Sequence, residues 1–413
     1  MISEKNNEKE VLFIPGSLKS PFVVNELPYL TQHFKRCIVL TFDQMDADIE
    51  KMSRDFGLET YAIAQKNAAR EAFHLIKWLR REHVKKEIKS NCDCSLRGLK
   101  KLLYILLYGA YELAAERVLE KIKLSGQTYV YAYWLSRPAF IAASVKNKNN
   151  ETVIRSFSRA HGYDLYEQRN ELNYLPFREY ILQELDGVGF ISENGRAYAQ
   201  NKYKKFEIDT DKYFVSHLGT KGGGMQKAVS DKEEVLIASC SSVIDVKRID
   251  LIIKVIQFLQ QHEVKVKWIH LGDGQNMKEI QLLAREKLIE GSYCFCGNIP
   301  NNRILQKYHD EDVDFFINMS DSEGIPVSVM EAISLGIPAI GRNVGGMSEI
   351  INDETGLLLG QAETDIKYES IYEFVMSRFN SEKYMQLSNS TANYWSENFA
   401  ADKNYNDFYD NFI

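Results

Sequence analysis

The sequence predicts an α/β chain of two Rossmann-like doubly wound domains facing across a cleft. Three observations predict it. At 413 residues the chain is too long for one compact core, so two domains of about 150–200 residues are expected. A buried strand, Val11 to Ile14 (VLFI), runs into Pro15-Gly16-Ser17 and then a helix from about Phe22 to Phe34, which is how a doubly wound domain opens. The same alternation restarts with Glu234 to Ser239 (EVLIAS), where Lys247-Arg248-Ile-Asp250 opens a helix to about His262.

Composition narrows the class. Apolar residues make up 45% and charged residues 26%, as in a soluble globular chain. A net charge of −6 argues against a nucleic-acid binder. The six cysteines (37, 92, 94, 240, 294, 296) include two C-x-C pairs, neither with the C-x2-C spacing of zinc sites. They read as structural thiols of a reducing cytoplasm. The polar opening MISEKNNEKE is not that of a signal peptide, and no apolar run approaches a membrane span.

In the first half, Cys37 to Thr41 is the second strand. From Ile63 to Leu124 the pattern is helical. Between Lys77 and Lys101 it carries nine cations against three acids, and the apolar run Leu102 to Leu113 follows at once. Such a basic stretch beside apolar side chains suits peripheral contact with an anionic membrane through 77–113; a solvated face beside a core helix explains it equally well. Tyr129 to Tyr133 and Thr152 to Ser156 are strands, the second leading to His161-Gly162, and Gly187 to Ser192 is the last strand of this half. Lys221-Gly-Gly-Gly224 reads as a flexible connection.

In the second half, Lys267 to Leu271 is followed by Gly272-Asp-Gly274, and the short strand Tyr293 to Cys296 by Gly297-Asn298-Ile299. Asp312-Val-Asp314 has the form of a D-x-D metal motif but sits within an apolar strand, so no metal is expected there. The strand Asp312 to Asn318 leads into Ser320-Asp-Ser-Glu323-Gly-Ile-Pro, then a helix from Pro326 that carries Glu331 and ends at Gly336. The two glutamates lie at the helix start and in its second turn. They suit two hydroxyl-bearing groups held apart by a pyrophosphate, with the helix N–H groups between them open to an anion.

This stretch resembles the E-x7-E signature of retaining glycosyltransferases of family 4 (glycosyltransferase group 1), which have the GT-B architecture. The resemblance continues through Gly345-Gly346-Met-Ser-Glu349 and Thr355-Gly-Leu-Leu358 and is strong over about residues 210–360. It implies a nucleotide diphosphate sugar as donor and transfer to a growing glycan, in surface polysaccharide biosynthesis. The implied chemistry is front-side displacement with retention, no cofactor and no metal. Glu323 then holds sugar hydroxyls, and Glu331 the ribose. Lys247 faces the pyrophosphate, with Arg248 standing in for an arginine whose usual place is Ser242. Gly324, Ile325, Gly272 and Gly274 line the donor, and Gly297, Asn298 and Ile299 hold the base. His161 contacts the donor near the reacting centre, and Gly16 lies where a phosphate approaches. The implied division is 1–214, 215–393 and a C-terminal helix, 394–413, packing back on the first domain. Trp395 and Phe399, four apart and so on one face, are its anchors. A nucleotide-sugar epimerase of the same fold shares these features. A non-catalytic scaffold fits the serine at 242. A dinucleotide-dependent oxidoreductase is disfavoured by the lack of G-x-G-x-x-G after a strand.

Overall fold

The computed structural model describes residues 9–63, 74–125, 127–222 and 232–412. Residues 64–73, within the expected helical stretch, and Gly223-Gly224 of the expected connection lie outside them. The chain divides into two units, Met1–Ser216 with Asn406–Ile413, and His217–Tyr405.

The first unit is a seven-stranded parallel sheet. Its strands are β1 (Glu10–Gly16), β2 (Arg36–Thr41), β3 (Leu58–Ala62), β4 (Thr128–Ala132), β5 (Val153–Ala160), β6 (Gly187–Phe190) and β7 (Tyr213–Val215), in the order β3-β2-β1-β4-β5-β6-β7. Val11 to Ile14 are at most 1% exposed. Parallel strands are covered on both faces, which is why this one reads as an unbroken apolar run. The order reverses between β1 and β4; Gly16 is the last residue of β1, and Trp134 follows the carboxyl end of β4.

The chain returns to this unit at Asn406, part-way along the helix Ala401–Phe412. Phe408 packs on Tyr131 and Phe157, with ring centroids 5.3 and 5.5 Å away. The Tyr409 hydroxyl donates to Glu26 Oε1 at 2.6 Å, and Arg159 Nη1 donates to Glu26 Oε2 at 2.7 Å. Arg159 and Glu26 are 0% and 1% exposed, and the guanidinium lies 4.1 Å from the Phe408 ring centre.

The expected anchors of this return are different residues. Trp395 Nε1 donates to Thr220 Oγ1 at 2.9 Å, and Phe399 lies beside His217, with all four residues in the second unit. The face they share is turned to their own unit, so the return begins at 406 rather than 394, and Phe408 and Tyr409 make it.

The second unit has six parallel strands: β8 (Val235–Cys240), β9 (Val266–Leu271), β10 (Tyr293–Phe295), β11 (Phe315–Asn318), β12 (Ala339–Arg342) and β13 (Gly356–Leu359), in the order β10-β9-β8-β11-β12-β13. The reversal falls between β8 and β11. Gly356-Leu-Leu358 opens β13, which pairs with β12. β11 begins at Phe315 because the residues before it are used otherwise. Asp312 has φ +52°, and the Asp312 and Asp314 carboxylates hold Lys232 Nζ at 2.5 and 2.9 Å. The D-x-D pair is thus committed to a lysine.

Candidate active site

Loops leaving β8 and β11, the strands on either side of the reversal, bring Lys247 and Glu323 together. Lys247 ends the short turn Asp245–Lys247, and its Nζ lies 2.7 Å from Glu323 Oε1. Asn318 Nδ2, at the end of β11, donates to the same oxygen at 3.3 Å. Glu323 is 7% exposed, so its charge is compensated by the lysine rather than by bulk water.

Two glycines seat this loop. A Cβ on Gly345, where φ is +57°, would lie 1.9 Å from the Glu323 carbonyl oxygen. One on Gly346 would lie 2.5 Å from that of Gly324, to which Gly346 N donates at 2.8 Å. Only bare backbone fits there. The neighbouring Ile325 side chain is buried against Gly346, so Ile325 can meet a ligand only through its backbone.

Glu331 lies in the helix Val327–Ser334. Its carboxylate has no hydrogen-bond partner among the described residues. Burial pushes its carboxyl up from the usual 4.5 to about 7. The folded protein therefore favours the neutral acid. That contribution to stability is complete below pH 4.5 and is lost as pH rises through 7. Glu331→Gln, which carries no charge to bury, is expected to unfold at a higher temperature than the wild type at pH 8 and at a similar one at pH 4.5. A wild-type advantage at pH 8 would contradict this.

Arg248 is placed differently from expectation. It adopts φ +48°, and its guanidinium is gripped by Asp250 (Nε to Oδ1 3.0 Å, Nη2 to Oδ2 2.9 Å) and Glu363 (2.7 Å), with Asp321 at 3.4 Å. The hydrogen bond to Asp250, then that to Glu363, raises its pKa further. Hydrogen bonds from Lys254 and then Arg248 hold Glu363 down at about 2. A guanidinium so surrounded cannot stand in for the missing arginine without leaving three carboxylates. Ser242 is exposed and supplies no charge.

The neighbouring loops close the carboxyl edge. Gly272, at φ +136°, leaves no room for a side chain, since its Cβ would sit 1.9 Å from the Ser241 carbonyl oxygen, and one on Gly274 would sit 2.3 Å from that of Val243. Gly272 N donates to the Gly297 carbonyl at 2.9 Å, tying the β9 loop to the loop of Gly297, Asn298 and Ile299.

In the first unit His161 follows β5 directly. Its backbone N–H donates to Asp164 Oδ1 at 2.6 Å. The ring stacks on Tyr133 (5.1 Å, 17°) and touches Trp134 (4.3 Å). It is 6% exposed; among the described residues neither ring nitrogen has a hydrogen-bond partner, and Nδ1 lies 3.6 Å from Asp164 Oδ2. Trp134 also lies 3.5 Å from where a Gly16 Cβ would be, so Gly16, Trp134 and His161 form one cluster at the carboxyl edge of the first sheet. Trp134 and Asn318 were not expected among the site residues. Both sit at strand ends, the one signal that marks them.

Residues 224–392 match the family model described as Glycosyl transferases group 1. The match falls within the second unit. Over 123 residues, 30% of this chain and 32% of the relative, the chain is 32% identical to the O-antigen biosynthesis glycosyltransferase WbnH of Escherichia coli. Over 134 residues, 28% of this chain and 32% of the relative, it is 28% identical to the putative teichuronic acid biosynthesis glycosyltransferase TuaC of Bacillus subtilis. The chain spans about a third of the length of these curated relatives. The structure of Anabaena Alr3699/HepE in complex with UDP and glucose superposes with a TM-score of 0.66 at 12% identity, covering 98% of this chain and 99% of that one. The chain thus has the GT-B fold.

Proposed function

We propose that the chain is a retaining glycosyltransferase of family 4 that moves a sugar from a nucleotide diphosphate sugar to a growing surface polysaccharide. The observation that carries this is the Lys247–Glu323 pair at the reversal of the second sheet, with the Glu331 carboxylate eight residues on, in the second turn of the helix that follows the same loop. A diphosphate reaching Lys247 offsets the cation in place of Glu323, freeing that carboxylate for sugar hydroxyls. Lys247 then stabilises the charge that builds on the leaving nucleotide. Glu331 accepts from ribose hydroxyls. The scheme needs no metal, so transfer should persist in excess EDTA.

Incubating the protein with UDP-, GDP- and ADP-sugars and a glycan acceptor tests the reading. It requires a new glycosidic bond of the donor's anomeric configuration, read by NMR. An inverted product, or a free epimer in place of transfer, overturns it.

We further propose a peripheral position on an anionic membrane at the cytoplasmic face, where a lipid-linked glycan acceptor would be held. Support comes from the helix Leu96–Leu119. Leu96, Leu99, Leu103 and Leu107 are 83%, 53%, 58% and 39% exposed, at spacings that put them on one face. Ile105, Tyr108 and Leu113 are buried on the other side. Among the described residues no helix is long and apolar enough to cross a membrane. Lys100 and Lys86 lie in exposed pairs with Glu171 and Glu179, which lipid phosphates can replace at little cost. Vesicle co-sedimentation should rise with anionic lipid, fall with salt, and drop when Leu99 and Leu103 are changed to Ser. Indifference of the wild type to anionic vesicles at low salt would end this part of the proposal alone.

A further inference from the structure

Arg342, the last residue of β12, is 5% exposed and reaches the loop that carries Glu323. Its Nη1 donates to the Met319 carbonyl at 3.1 Å and to Asp321 Oδ1 at 2.5 Å, with the Ser320 carbonyl at 3.5 Å. Its Nη2 donates to the Gln361 carbonyl at 2.6 Å. A guanidinium is a planar fork of several donors, so one side chain holds these acceptors in a fixed arrangement.

Asp321 carries this hold across to the loop of β8. Its N–H donates to the Val246 carbonyl at 2.8 Å, one residue before Lys247. Its Oδ1, besides accepting from Arg342, lies 3.4 Å from Nη1 of Arg248, the residue after Lys247. Residue 321 is thus tied to both chain neighbours of Lys247 and stands two residues before Glu323. The turn of Lys247 is tied to the loop after β9 as well. Val243 N–H donates to the Asp273 carbonyl at 3.0 Å, Asn276 N–H to the Val243 carbonyl at 3.1 Å, and Asn276 Nδ2 to Asp245. The Asp321 side chain is 43% exposed, where an ion pair contributes little to stability. What it controls is geometry. Lys247 Nζ and Glu323 Oε1 come from the loops of two different strands, and their 2.7 Å separation depends on how those loops are set against each other.

We propose that Arg342 and Arg248 are positioning residues that act through Asp321 to set Glu323 against Lys247. The cation beside Lys247 then serves the pair and not the substrate. The purpose of the alignment rests on the transferase reading above: a diphosphate and a sugar meet groups already in place. The alignment itself is a property of the protein without substrate, and is tested there.

The experiment is acylation of lysines by an acetyl N-hydroxysuccinimide ester with no substrate present, read residue by residue by peptide mass spectrometry. The reagent takes the neutral, free amine, so Lys247 is shielded while Glu323 holds it. Asp321→Ala should speed labelling of Lys247 about threefold or more, the scale of a lost ion pair. Lys265, in its exposed pair with Glu233, should label as before. Arg342→Met should act in the same way; should that variant not unfold cooperatively, Asp321→Ala, which removes a half-exposed side chain, decides alone. Kinetics give a second reading. Asp321→Ala should lower kcat for transfer about tenfold, and much less once Lys247 is already Ala, because the group being aligned is gone. A side chain that merely stiffens the loop costs the same factor in both backgrounds. Unchanged labelling of Lys247 in Asp321→Ala, equal acceleration at Lys265, or an equal loss of kcat in both backgrounds overturns the proposal. If the wild type transfers no sugar from any donor, the transferase reading fails, and labelling still decides whether Asp321 aligns the pair.

Discussion

Glu323→Gln is expected to lower the rate of transfer by about 10²–10³-fold, the loss typical when one preorganised electrostatic group is removed. The substitution keeps the shape of the side chain and its capacity to accept from Asn318, 3.3 Å away. It removes the charge that faces Lys247 at 2.7 Å and, on the proposed path, a sugar that becomes cationic. Because that demand grows on the way to the transition state, kcat should fall much more than donor affinity. Lys247→Ala should act on both. The two residues touch, so the double variant should lose less than the product of the single losses. Steady-state kinetics of the four proteins reads this, and a Glu323→Gln rate within threefold of the wild type would remove Glu323 from the catalytic role.

The largest effect on stability is expected at Glu26. Glu26→Ala removes the buried carboxylate to which Arg159 Nη1 and the Tyr409 and Tyr131 hydroxyls donate. Breaking such a buried pair costs about 3–5 kcal/mol, to be read as a lowered urea midpoint. Replacing both partners by apolar residues, Glu26→Leu with Arg159→Met, should recover much of that loss, since no charge is then left without a partner. If Glu26→Ala unfolds like the wild type, the network contributes nothing measurable. The local consequence is specific too. Residues 406–412 should become the first point of proteolysis in Glu26→Ala, because Tyr409 ties them to the first unit through Glu26.

Much of this arrangement was legible because parallel strands and their glycine turns leave a strong local pattern. VLFI, CIVLT and EVLIAS are strands because a doubly covered sheet demands unbroken apolar runs, and Glu323 was marked by the strand before it and the glycines after it. The remainder depended on contacts remote in the chain. Arg248 reads as a free cation until Asp321 and Glu363 are known to sit beside it. Trp395 and Phe399 show by spacing that they share a face, but spacing does not tell which unit that face meets. The stretch Leu102 to Leu113 is apolar nearly all round, so only packing could show that Ile105 and Tyr108 turn inward while Leu103 and Leu107 stay in solvent. The three-residue β7 and the polar β3 were too short or too mixed to register.

The return of the chain to the first unit at Asn406 has a consequence for its birth. Domains generally form as units in the order in which they are synthesised. The first unit departs from that order. Its seven strands are complete once Val215 has emerged, yet Glu26 and Arg159 must wait for Phe408 and Tyr409, and the whole of the second unit is made in the interval. During that time a patch destined for burial is open to water, to chaperones and to other nascent chains.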